Sequence, residues 1–348
     1  LGNKKAVHLL LLCLSSFIAV VAIVPSIPGH NKVLDPPSDP PSVRVSPLGA
    51  VKSNIDQQPV LYVPIYLTKQ KKIESMPLEQ YVRGVLAAEM PIEFELEALK
   101  AQAMAARTYI IRKQSEQDFS NIPASGAGAW VTDTIAHQAY ASDEDLKVRW
   151  GKQYTSNSDK LNQAITQTEG IILTYGQKPI QANFFSTSNG FTENSEDYWN
   201  AYIPYLRSVP SPWDIQLSPR YKETITLSAA DLQTKLGISK AVPVSGRGSL
   251  LQVIELSQGH RIKKMRVAGK LYSGREVREK LGLNSSQFQW NWKGDRVEMT
   301  TFGYGHGVGM SQWGAQGMAL EGYKAEQIVQ YYYTGIELDK ASNLGTTD

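Results

Sequence analysis

With Cys13 the single cysteine in 348 residues, no intrachain disulfide can form and no cysteine is left for a metal site elsewhere. An excess of one charge is also lacking. Lys plus Arg number 36 against 33 Asp plus Glu, a formal net charge of +3. No strongly basic run exists to neutralise a row of phosphates, so no nucleic acid is expected as a partner. His30, His137, His260 and His306 are scattered without metal-ligand spacing. No Gly-Lys-Ser/Thr follows the glycine-rich stretch near residue 305, which excludes a P-loop, and its glycines do not match a dinucleotide fingerprint. Ser186 and Ser188 lack the elbow of a serine hydrolase. These absences leave no metal and no cofactor expected.

The N-terminal segment carries an address. Lys4 and Lys5 precede an apolar run from Ala6 to Val24, long enough to cross the ~30 Å hydrocarbon core as a helix. The lysines stay on the cytoplasmic side, which places everything after Pro25 outside. Residues 1–25 therefore read as a single membrane anchor. The alternative is a signal peptide cleaved near Val20-Val21-Ala22. Residues 26–54 include Asp35-Pro36-Pro37-Ser38-Asp39-Pro40-Pro41, a density of proline that suits an extended spacer and no packed element.

Residues 55–340 read as one folded domain, with 341–348 as a tail. A strand is expected over 59–67, on a sheet edge because of Pro64. Helices are expected over Leu78–Met90, stopped by Pro91, and over Glu95–Gln114, rich in alanine. Strands follow at Gly170–Tyr175, Ile180–Ser186, Leu250–Leu256 and Arg296–Phe302. Helices follow from Ser311 to Leu320, with Ser311 as cap, and from Ala325 to Tyr333. Strands and helices alternate irregularly, so the fold class is α+β. Residues 213–298 read as an inserted smaller α/β subdomain, marked by charged helices and a basic strand, His260–Val267.

One helix carries the sharpest chemical signal. Leu78, Tyr81, Val82, Val85 and Leu86 share a face, and at ~100° per residue Glu89 falls near its centre. Burial raises a carboxyl pKa toward neutrality, as a general acid requires, and the negative end of the helix dipole acts in the same direction. The plainer alternative is a frayed end or a pair with Arg107. A second signal is Gly303-Tyr304-Gly305-His306-Gly307-Val308-Gly309-Met310-Ser311-Gln312-Trp313-Gly314. Alternate glycines bring backbone close to a neighbour or ligand. His306, Ser311 and Gln312 suit sugar hydroxyls, and Tyr304 or Trp313 suits a ring face; a structural turn with a satisfied His306 is the alternative. Third, Ser186-Thr187-Ser188-Asn189-Gly190 ends a strand in small hydroxyl residues, with Glu193, Glu196 and Asp197 close behind.

Taken together, these stretches resemble the stage II sporulation protein D family, related to amidase enhancers. The likeness rests on Leu86-Ala87-Ala88-Glu89-Met90-Pro91 running into Glu97–Tyr109, on Ser186–Glu193 and on Gly305–Ala315. It implies a peptidoglycan lytic transglycosylase acting on glycan stripped of stem peptides, during forespore engulfment. The family glutamate falls on Glu89. The family's groove residues would fall on Ser186, Ser188, Gly190, His306, Ser311 and Gln312, and Arg107 and Tyr304 are expected as further substrate contacts. The resemblance further implies a partner amidase and endopeptidase, stage II sporulation protein P, and a recruiting membrane protein, stage II sporulation protein M. It places the domain outside the cytoplasmic membrane, on the mother-cell side of the septum. Some members bind zinc through a histidine and cysteines near Val131–Tyr140. His137 is present here, but no cysteine is, so zinc is not expected.

A lytic transglycosylase needs one carboxyl group, because the muramic acid C6 hydroxyl of the substrate is the nucleophile. Ordinary glycosidases pair two carboxylates across the bond. Two rivals remain: a glycan hydrolase using Glu193, Glu196 or Asp197 as its second carboxylate, and a non-catalytic wall-binding activator of an amidase.

Overall fold

The computed structural model describes residues 60–238 and 249–344. The expected anchor, the proline-rich linker and the last residues of the tail lie outside the described residues. Among the described residues no helix is long and apolar enough to cross a membrane.

The fold opens with an antiparallel hairpin, β1 (Tyr62–Leu67) and β2 (Lys72–Pro77). β1 is not the edge strand that Pro64 suggests, since β3 (Val131–Thr132) pairs parallel on its other side. Pro64 is tolerated because β3 pairs only with Ile65 and Tyr66. The Pro64 carbonyl, which proline retains, accepts the Trp130 N–H at 2.8 Å.

Helix α1 (Leu78–Glu89) follows β2 without a break and ends where Met90 turns extended before Pro91. Tyr81, Val82, Val85 and Leu86 are fully buried. Helix α2 (Leu96–Glu116) is the central strut. Its small buried residues Ala98, Ala101, Ala103, Ala105 and Ala106 let neighbours pack closely on several sides. Helix α3 (Asp143–Trp150), capped by a Ser142–Asp145 box, and α4 (Tyr154–Gln167) lie beside them. Strands β4 (Ile171–Tyr175) and β5 (Lys178–Pro179) come next.

The strand expected over Ile180–Ser186 shrinks to β6 (Phe184–Phe185). The Asn183 carbonyl takes both the Met310 N–H at 3.1 Å and the Tyr333 hydroxyl at 2.7 Å. Those bonds draw the chain out of the β4–β5 sheet and align it with a late segment. Short helices α5 (Ser195–Trp199) and α6 (Trp213–Leu217) complete this half.

A second hydrophobic core, built on Leu232, Leu251, Met265, Val277, Phe288, Val297 and Met299, lies between β7 (Lys222–Ser228) and the return to the body. It comprises α7 (Ala229–Leu236), the antiparallel group β8 (Leu251–Leu256), β9 (Ile262–Val267) and β10 (Lys270–Ser273), then α8 (Gly274–Leu281). Strands β11 (Phe288–Lys293) and β12 (Arg296–Phe302) join β7 in the order β11–β12–β7. Helix α6, at the start of the expected 213–298 insertion, packs instead on the body through α9 (Gln312–Leu320), which follows β13 (Met310–Ser311). Helix α10 (Ala325–Tyr332) and β14 (Glu337–Lys340), antiparallel to β4, close the chain. Helices and strands are mixed irregularly, as the α+β reading requires.

Candidate active site

Glu89 is half-buried at the last position of α1. Its Oε1 accepts the Ala139 N–H at 2.8 Å, and Oε2 has no protein partner among the described residues. Burial raises its pKa above the ordinary glutamate value, and the Ala139 N–H opposes the rise. No second carboxylate contributes to that shift.

The loop that supplies Ala139 is tied at both ends. Asp133 Oδ1 accepts the Thr68 N–H at 3.1 Å and the Thr68 hydroxyl at 2.8 Å. At the other end the Ala141 N–H reaches the Gly84 carbonyl at 3.1 Å. Tyr140 lies stacked with Tyr81 and packs so close to Gly84 that a Cβ there would overlap its ring. Gly84 is thus required by close approach and not by its dihedrals.

The glycine-rich segment runs alongside residues 184–193. It pairs through the parallel β13–β6 ladder, Met310↔Phe184 and Ser311↔Phe185, and through bridges Thr187↔Tyr304 and Glu193↔Val308. The alternation of glycine has a double cause. At Gly307, φ is +88° and a Cβ would meet the Arg261 guanidinium; at Gly309, φ is +82° and it would meet the Asn183 carbonyl. The segment delivers Gln312, whose Nε2 donates to the Glu89 carbonyl at 3.0 Å, and Trp313, whose N–H reaches the Ser186 carbonyl at 3.1 Å. The three sequence motifs therefore meet at the end of α1.

Beneath them lies a residue that the sequence reading missed, Asp214. It is fully buried, and Oδ1 accepts the Ser188 N–H at 2.7 Å and the Ser311 hydroxyl. Oδ2 accepts the Ser211 hydroxyl at 2.7 Å, and Ser211 Oγ is also 2.8 Å from the Tyr332 hydroxyl. Burial raises the Asp214 pKa even against these donors. Ser188 and Ser311, expected as substrate contacts, are thus fully buried with their polar groups engaged inside the protein. The Ser188 hydroxyl donates to the Ser211 carbonyl at 2.8 Å. Gly190, with φ +108°, bends the chain so that its carbonyl takes the Ser211 N–H at 2.7 Å. A lone aspartate three residues after a serine gave no signal of this role.

The remaining expected contacts divide. Arg107 is fully buried and makes a two-point pair with Glu79, at 2.8 and 2.6 Å, plus a bond to the Ile171 carbonyl at 3.1 Å. It neither pairs with Glu89 nor offers a free face. Arg107→Met is expected to destabilise the fold by ~2 kcal/mol, below the ~3–5 typical of a fully buried pair because the Glu79 side chain is 26% exposed. Urea denaturation measures it, and adding Glu79→Gln should recover part of the loss. The Tyr304 ring is covered by the Arg220 guanidinium, 3.6 Å from its centroid. Ser186 and His306 are half-buried. His306 Nδ1 accepts the Val308 N–H at 3.1 Å, so the neutral ring carries its proton on Nε2. Burial first, then the charges of Arg278, Arg261 and Arg275, pull its pKa down to about 3, so the imidazole is neutral at physiological pH.

Other acids are engaged elsewhere. Glu193 is buried, bonded by the Ser257 hydroxyl at 2.5 Å and 3.9 Å from Arg261. Glu196 pairs with Arg207, and Asp197 pairs with Lys263 at 2.7 Å. Both His137 ring nitrogens have partners, Thr132 Oγ1 at 3.0 Å and the Ser120 carbonyl at 3.1 Å. Among the described residues no group of three His, Cys, Asp or Glu is placed to hold a metal ion.

Residues 66–175, which contain α1, α2 and the Ala139 loop, match the family model described as Stage II sporulation protein. The chain is 44% identical over 334 residues to Stage II sporulation protein D of Bacillus subtilis (strain 168), covering 94% of this chain and 95% of that protein. It is 47% identical over 281 residues to Stage II sporulation protein D of Bacillus amyloliquefaciens, covering 81% of this chain and 79% of the relative. Amidase enhancer of Bacillus subtilis (strain 168) is 29% identical over 310 residues, 74% of this chain and 40% of that protein. The chain therefore belongs to the stage II sporulation protein D family.

Proposed function

We propose that the chain is a lytic transglycosylase that cleaves peptide-stripped peptidoglycan strands during engulfment of the forespore. The observation that carries the reading is Glu89: a half-buried carboxyl with a raised pKa, one oxygen fixed by the Ala139 N–H and the other without a partner among the described residues. Protonated Glu89 donates to the leaving glycosidic oxygen. Ionised Glu89 then takes the proton of the muramic acid C6 hydroxyl, which attacks the anomeric carbon and closes a 1,6-anhydro ring. An intramolecular nucleophile is favoured by proximity. The neutral imidazole of His306 adds no positive charge to oppose the cation developing at the sugar.

The pairing of Glu193, Glu196 and Asp197 inside the protein argues against a second catalytic carboxylate and so against the hydrolase. Within the same proposal, the N-terminal run anchors the domain outside the cytoplasmic membrane, on the mother-cell side of the septum. Stage II sporulation protein P supplies stripped glycan there, and stage II sporulation protein M recruits both proteins. Digestion of peptide-stripped glycan by the purified chain, with products read by mass spectrometry, is the test. Anhydro ends support the proposal. Reducing ends point to the hydrolase, and intact strands that are still bound point to the amidase activator.

A further inference from the structure

Two arginines of α8 present themselves to the wall formed by His306. Arg275 and Arg278, three residues apart and so on one helix face, both reach Tyr198. Arg278 Nη1 donates to the Tyr198 hydroxyl at 3.0 Å, and Arg275 lies 4.8 Å from the Tyr198 ring centroid. Tyr198 and Trp199 in turn face His306, at 5.7 and 5.5 Å between ring centroids. Beyond His306 the contacts continue through Phe185 to Ser186, Trp313 and the Gln312 amide on Glu89. The aromatic wall and the acid thus belong to one continuous stretch of structure.

The acids around this wall already have partners. Glu279 pairs with Arg275 at 2.8 Å, Asp197 with Lys263, and Glu193 is shared by Ser257 and Arg261. Arg278 has no carboxylate partner among the described residues. Its Nε donates to the Leu283 carbonyl at 3.2 Å and Nη1 to Tyr198, which leaves Nη2 without an acceptor among the described residues. A cavity of about 570 Å³ is lined by Tyr198, Arg261 and Arg275 together with the engaged acids Glu193, Asp197, Glu276 and Glu279, and Arg278 borders it through the Tyr198 hydroxyl. An arginine fork held by a tyrosine hydroxyl and a backbone carbonyl is arranged to take a carboxylate.

Peptide-stripped glycan carries one such group on every muramic acid. Removing the stem peptide converts the lactyl amide into a free carboxylate. We infer that Arg278, held against Tyr198, is a specificity residue that binds this lactyl carboxylate and so selects stripped strands over substituted ones. The inference rests on the glycan-cleaving reading and adds to it the group that reads the substrate.

The test uses the full chain and two substrates: stripped strands, and the same strands with lactyl carboxyls capped as methylamides. Co-sedimentation gives affinity, and release of soluble fragments gives kcat/KM. Wild type is expected to favour the free-carboxylate strands roughly tenfold or more, the worth of one charge-assisted hydrogen bond. Arg278→Gln should lose that preference by weakening only on the free-carboxylate strands, and Arg278→Lys should restore part of it. Equal handling of the two substrates by wild type, or an equal loss on both in Arg278→Gln, overturns the inference. If no strand is cleaved, the lyase reading fails, while the ratio of affinities still decides the role of Arg278.

Discussion

Replacing Glu89 by Gln is expected to lower glycan cleavage by ~10²–10⁴-fold, the usual worth of a positioned general acid and base. The amide keeps the shape and still accepts the Ala139 N–H, so folding and glycan binding should persist. Stability gives an independent readout with a definite sign. Burial raises the folded-state pKa of Glu89 above its unfolded value. The stability that this group contributes is present below the unfolded pKa and is lost as pH rises through the folded one. The neutral amide has no such loss. Glu89→Gln should therefore melt no lower than wild type at pH 7, and its advantage should shrink as pH falls toward the ordinary glutamate range. An inactive variant that is also less stable at pH 7 would point to a structural role for Glu89.

Asp214→Ala is expected to have the largest effect on stability. It removes the acceptor for the Ser188 N–H and for the hydroxyls of Ser211 and Ser311 in a fully buried place. At ~1–3 kcal/mol for each of the three orphaned buried donors, the loss is on the order of 3–9 kcal/mol, a large share of the ~5–15 that holds a typical domain. Cleavage should fall with it, because the same knot sets β13 against β6 and so the Gln312 amide on Glu89. Asp214→Asn keeps one carbonyl oxygen and should lose less. Burial raises the folded pKa of Asp214, so wild type gives up part of its margin as pH rises through that value. The deficit of Asp214→Asn should accordingly be widest in acid and narrow as pH rises, measured by urea denaturation across the range.

The contrast between Glu89 and Asp214 marks what can be read from sequence. Glu89 was visible because helical periodicity is a local code, and Pro91 marks where α1 ends. The cap at Ser311, whose hydroxyl takes the Gly314 N–H at 3.3 Å, was legible for the same reason. Asp214 was not, because two of its three partners lie 26 and 97 residues away and nothing in its neighbourhood announces them. Ser188 and Ser311 looked like groove hydroxyls on the strength of residue type alone. A buried carboxylate turned them inward. Arg107 likewise looked available until Glu79, 28 residues earlier, was found holding it. The alternating glycines gave the right physical message, close backbone approach, but not the identity of the neighbour, which is the residue 184–193 segment.

The central claim is that Glu89 works alone and that no water attacks the sugar. Digesting stripped glycan in water enriched in oxygen-18 tests this most directly, with each new end weighed by mass spectrometry. The account predicts anhydro ends, one water lighter than reducing ends and free of oxygen-18, formed by wild type and absent with Glu89→Gln. Reducing ends carrying oxygen-18 at the anomeric position would contradict it.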